Sequence, residues 1–235
     1  MSPRTGEPAD PRTPLLPLLH VCDSLFPIGG FAYSDGLEAA AKHMATAADL
    51  HEWIVACVDE TFARLEGPAV ARAWTACRDR DVDALGEIDR EVIAMRPSGA
   101  ARSSARAMGM RLISTWQALH PDETLVLLLA RAHEGRLAPA LPVAFGAVCA
   151  ASGVDRRDAV QAYGYTRLAA TTSAAMRTMA IGQMEAHRLL ARALDRLPPI
   201  VDAIERSPAP LACFTPLMDI AAMTQQYLES RLFRS

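Results

Sequence analysis

Lysine is almost missing from this 235-residue chain. Of its 24 basic residues all but Lys42 are arginine, and 27 acidic residues leave a net charge of -3. A nucleic-acid binder carries a basic excess gathered on one face, so this balance argues against that class. Aromatic residues make up only 6% of the chain, which points to helices packed closely through small side chains. Cysteine is sparse and unpatterned. Cys22, Cys57, Cys77, Cys149 and Cys213 are odd in number and form no C-x-x-C pair, which excludes a disulfide framework. They read as reduced, mostly buried thiols of a cytoplasmic protein. Long apolar runs are lacking too: residues 137–154 are uncharged, but Pro139, Pro142, Gly146 and Gly153 interrupt them. They suit a buried core helix better than a membrane span. Five prolines in the first 17 residues and a short apolar run broken by Pro17 rule out a secretory signal.

Period-two alternation of β-branched residues is equally absent, and helix signals fill the space. In 47–65, Leu50, Trp53, Ile54, Cys57, Val58, Phe62 and Leu65 recur at three- and four-residue steps behind an N-cap at Thr46. Gly67-Pro68 is expected to close that helix. Val82, Leu85, Ile88 and Val92 mark a second, ended before Pro97, and Ala105 to Leu119 a third, stopped by His120-Pro121. Asp122 caps a further helix, Pro142 opens one that Gly153 ends, and Asp155 starts a stretch to about Leu197, broken near Gly164 or Gly182 and stopped by Pro198-Pro199. The expectation is an all-α, single-domain bundle of roughly ten helices over residues 14–235, preceded by a disordered tail over 1–13.

Residues with which to run a reaction are hard to find. The six histidines form no H-E-x-x-H and never stand four apart on a helix, and there is no G-x-S-x-G elbow. Asp79, Asp81 and Asp83, like Glu87, Asp89 and Glu91, fit solvated faces. His20, Cys22 and Asp23 bring ligand-type atoms together, although apolar neighbours favour helix packing. No metal site and no catalytic residue is expected. Such a chain is a binding partner, or alternatively a helical regulator or enzyme with a small-ligand pocket between helices.

The segment "DSLFPIGGFAYSDGLE", residues 23–38, concentrates one proline, three glycines and three aromatics. It lacks the spacing of a phosphate-binding loop, with no lysine and no preceding strand. Pro27, Gly29 and Gly30 would end one helix, with Asp35 and Glu38 spaced as N-cap and N3 acid of the next. Phe26 and Phe31 read most simply as core.

With the residues before it, "LLHVCDSLFPIGGFAYSDGLEAA" resembles the N-terminal signature of the urease accessory protein F family (UreF), roughly L-L-Q-L-x-[SD]-x-x-[LF]-P-[IV]-G-x-F-x-[YH]-S-x-G-L-E. "PLMDIAAMTQQYLESRLFRS" is similar to the family's ending, and "RSSARAMGMRLI", "LPVAFGAVCAASG" and "AAMRTMAIGQMEAHRLL" resemble its inner segments. Where many members carry a histidine before the P-V-x-x-G segment this chain has Ala140 or Leu141, and Gln225 and Gln226 replace a His-Glu pair.

The resemblance implies an all-α, dimeric, cytoplasmic chaperone without enzymatic activity, needed for metallocentre assembly in urease. It implies a protein complex in which the chain bridges a UreD/UreH-type protein and the UreG GTPase for nickel insertion into apo-urease. The assembled complex handles the nickel, and the chain itself holds no cofactor. It also implies a partner-binding surface of Tyr33, Phe31, Ser34, Glu38, Arg231, Leu232, Phe233 and Arg234. The tail over about 228–235 would order on partner binding, with Arg231 as its polar and Phe233 as its apolar anchor. Arg177 is expected to form a buried ion pair or to line a polar passage, and Gln183 carries the same two readings. No contact with nucleic acid or membrane is implied.

Overall fold

The computed structural model describes residues 15–207 and 209–234. The expected N-terminal tail lies outside them. Twelve α-helical segments follow in order: α1 Leu15–Cys22, α2 Leu37–Ala40, α3 Ala47–Ala56, α4 Gly67–Arg78, α5 Val82–Ala94, α6 Gly99–Leu119, α7 Glu123–His133, α8 Leu141–Ala151, α9 Arg156–Thr178, α10 Gln183–Leu194, α11 Leu197–Arg206 and α12 Pro216–Thr224. No strand occurs among the described residues. The fold is all-α, with one continuous core.

Local signals set most boundaries. Thr46 and Asp49 form a reciprocal capping box at α3, and Asp122 accepts from the amides of Thr124 and Leu125 at α7, each relieving amides that lack partners within the helix. α9 ends at Thr178, so of the two candidate breaks the one near Gly182 is realised.

One expected helix end fails, at a proline. Gly67-Pro68 does not close the helix that begins behind Thr46. α3 passes through a π-helical segment, Cys57–Glu66, straight into α4, making one rod. Pro68 has no amide hydrogen to give to the carbonyl four residues back. That carbonyl, on Arg64, instead accepts from the amide of Ala212 at 3.0 Å. The wider π turn, with Gly67 bonded to the carbonyl of Phe62, absorbs the mismatch. At Pro198-Pro199 a helix does end as expected, α10 at Leu194, and the pair then stands in the first turn of α11, where its missing amides cost nothing.

α8 is the axle. Every residue from Leu141 to Cys149 is buried, and α4, α6 and α9 surround it. Close approach there depends on glycine: a Cβ on Gly146 would lie 2.4 Å from the carbonyl oxygen of Val70, and one on Gly109 would lie 2.0 Å from that of Pro139. No described helix is long and apolar enough to cross a membrane.

Candidate docking surface

The glycine-rich segment lies where α9, α12 and the chain's last residues converge. Its irregular backbone is anchored from below. Asp35 takes a positive φ of 50°, an uncommon conformation for a residue with a side chain, and pairs with Arg167 of α9. Arg167 also donates to Glu66 at 3.1 Å, and Glu66, only 1% exposed, binds Arg96. Burial alone would raise the Asp35 carboxyl, but the Arg167 guanidinium, with Arg96 behind it, outweighs that and holds it below the usual carboxylate range. Asp35 is therefore not the N-cap of α2. Gly36, at φ 87°, precedes that helix, and Ser34 Oγ accepts from the amide of Glu38. A side chain on Gly36 would meet the amide nitrogen of Ala222 at 2.6 Å, so this glycine lets α12 settle against α2.

Glu38, released from capping, receives the tail. Its carboxylate accepts from the amides of Leu232 and Phe233 and from Gln225 Nε2, the last two at 3.2 Å. Gln225 is 1% exposed, and its other amide atom accepts from Ser34 Oγ at 3.0 Å. The amide of Arg234 donates to the carbonyl of Ala32 at 2.7 Å. Phe233 is buried, and Arg177 lies over its ring while donating to the carbonyl of Phe31 at 3.0 Å.

The eight residues expected at a partner surface thus fall into two groups. Ser34, Glu38 and Phe233 are buried and form the joint between tail and loop. Phe31, Leu232, Arg231 and Arg234 are exposed, and Tyr33 is half-buried against the core. Phe31, whose simplest reading was core, faces outward, while Phe26 is buried. Arg177 meets no carboxylate among the described residues: its exposed guanidinium covers a ring and donates to a carbonyl, in place of the expected buried ion pair. Gln183 is exposed at the start of α10.

The outer face of α12 was not anticipated. Leu217 and Ile220 are 79% and 52% exposed, and Phe214 and Tyr227 on either side of the helix are exposed too. The three-residue spacing is visible in the sequence, but Met218, Ala221 and Ala222 make the opposite face equally apolar, so nothing marks which side faces outward. Exposed Leu232 and Phe31 and the arginines Arg177, Arg231 and Arg234 belong to the adjoining joint. An exposed apolar strip on one helix suits a protein partner with an apolar groove. A second concavity, about 590 Å³ between α4, α5 and α11, is lined by Ala71, Ile88, Ile200 and Ile204. Its two guanidiniums, Arg72 and Arg156, are already paired with Glu91 and Glu205.

The model of the UreF family matches residues 44–194. A protein of Azoarcus sp. (strain BH72) named urease accessory protein UreF is 32% identical over 231 residues, covering 97% of this chain and 98% of its own. Proteins of the same name from Delftia acidovorans and Methylibium petroleiphilum are 32% and 30% identical, over 94% and 99% of this chain and 97% and 100% of theirs. The chain belongs to the UreF family.

Proposed function

We propose that this chain is a non-catalytic urease maturation factor of the cytoplasm, bridging a UreD/UreH-type protein and the UreG-type GTPase so that nickel reaches apo-urease. The observation that supports this most directly is the exposed apolar strip of α12 beside a tail seated on Glu38. Burying such a strip against a partner removes apolar surface from water, and the exposed arginines of the tail joint add a charged contact that selects the orientation. The strip and the seated tail together form the face offered to the UreD/UreH-type protein. The chain acts as a homodimer, a chaperone rather than an enzyme, and nickel is cargo of the assembly.

The test mixes the full chain with the UreD/UreH-type protein and the GTPase and measures mass by size-exclusion chromatography with light scattering. Three chains are compared: full length, one lacking residues 231–235, and Leu217→Asp with Ile220→Asp. A multi-protein complex formed by the full chain and lost with either variant supports the reading. A full chain that stays alone beside folded partners sinks it and turns attention to the groove between α4, α5 and α11 as a ligand site.

A further inference from the structure

His20 on α1 and His120 at the C-terminal end of α6 come together on a face that the docking reading does not use. Their rings lie 6.4 Å apart, centroid to centroid, with planes at 84°. Both are exposed. An aromatic floor supports them: Trp116 is 5.7 Å from His20 and 4.7 Å from His120, and Phe26 is 5.1 Å from His20. Trp116 and Phe26 are buried, so the floor is fixed. The amide of His120 is tied to the carbonyl of Trp116 at 2.7 Å, which fixes the backbone below the second ring.

Neither imidazole hydrogen-bonds or ion-pairs with another described side chain, so their ring nitrogens are open to an external ligand. The nearby Asp23 is engaged locally, accepting from the amide of Leu25 at 2.9 Å. We propose that His20 and His120 chelate one divalent transition-metal ion, with water completing its coordination. Imidazole nitrogen binds such ions at about 2.0–2.1 Å, which places each ring centroid about 3.2 Å from the metal. Two rings sharing an ion on neighbouring coordination positions therefore stand about 5 Å apart, a closure that modest side-chain rotation supplies at an exposed site. Two neutral nitrogen donors without a carboxylate select nickel, copper or zinc over magnesium or calcium. No group of three or more histidine, cysteine or acidic side chains able to hold a metal occurs among the described residues, so water supplies the remaining positions. The site is independent of the partner reading, and loss of either leaves the other standing.

The experiment is isothermal titration of the untagged full-length protein with nickel, zinc and magnesium chlorides, repeated on His20→Gln, His120→Gln and Cys22→Ser. One nickel or zinc ion per chain is expected, at least tenfold weaker in each histidine variant, unchanged in Cys22→Ser, and with no magnesium signal. Retained affinity in both histidine variants, or loss only in Cys22→Ser, overturns the site. A second readout uses the same variants: copper bound there sits against the Trp116 indole and quenches part of the emission of the chain's three tryptophans at one equivalent, a part that His20→Gln and His120→Gln lose. Binding without that quenching overturns the proposal.

Discussion

The guanidinium of Arg177 lies over the ring of Phe233 with Cζ 4.2 Å from its centroid, and the same group donates to the carbonyl of Phe31. One side chain from α9 therefore fastens the chain's last residues to the loop near its first ones. A cation over an aromatic ring contributes about 0.5–1 kcal/mol at an exposed position. Arg177→Ala is expected to loosen residues 232–234 without unfolding the bundle. Hydrogen exchange should show their amides losing several-fold protection while α8 is unchanged, and Phe233→Ala should do so more strongly.

Glu38 tests the joint from the other side. Three donors converge on its carboxylate, and hydrogen bonds to charged groups contribute about 1.5–3 kcal/mol each. Glu38→Gln keeps the size but points an amino group at one of those donors, and Glu38→Ala removes all the acceptors. Trypsin cleavage after Arg231 should accelerate about tenfold or more in both variants, with Ala the faster. Equal cleavage in all three proteins would show that the tail is held by something else.

The ion network beneath the loop makes a sharper demand. Arg167→Ala leaves buried Glu66 with Arg96 alone and half-buried Asp35 without its ion pair, a change that costs at most about 3–5 kcal/mol, the cost of a broken buried pair. Arg167→Lys should not restore this, because Nε and Nη2 reach different carboxylates and a single ammonium cannot. Urea denaturation reads both. The Asp35 carboxyl is held below its ordinary range, so its contribution is present above that range and disappears as pH falls through the lowered value.

Asp89 behaves in the opposite sense. Burial pushes its carboxyl up to about 6, although the amide of Ala140 donates to it at 2.7 Å and Arg106 lies nearby. The folded chain keeps this proton where the unfolded chain has released it, so stability falls as pH rises from about 4 to 6 and stays reduced above. Asp89→Asn retains an oxygen for Ala140 and carries no charge. It should stabilise the protein by about 1–2 kcal/mol at pH 7.5 and by nothing at pH 4. Thermal melts at the two values check it, and a loss at pH 7.5 would contradict the sign.

What was legible in the sequence is local. Capping at Thr46 and Asp122, the apolar steps of α3 and α5 and the break near Gly182 all act within a few residues, so they could be read along the chain. Pro68 misled because a proline's effect depends on its surroundings: it is accommodated by a π turn and by an amide from Ala212, which lies far along the chain.

The site was half legible. The loop and tail stand out by composition and by their resemblance to the UreF signature, but which residues face outward did not. Phe31 and Phe233 are the same residue type, and their immediate neighbours, Gly30 and Ala32 for one and Leu232 and Arg234 for the other, do not mark which is buried. Only the fold puts one outside and the other beneath Arg177. Asp35 carries a capping residue's spacing yet serves Arg167, because a buried guanidinium needs a carboxylate more than a one-turn helix needs a cap. The sequence by itself determined that this chain is helical, where most of its helices begin, and which family it belongs to, because those follow from neighbours three or four residues apart and from short motifs. The tertiary structure alone decided the joint of Glu38, Gln225, Phe233 and Arg177, the outward face of α12 and the meeting of His20 with His120, because each joins groups far apart in the chain whose proximity depends on how the helices pack.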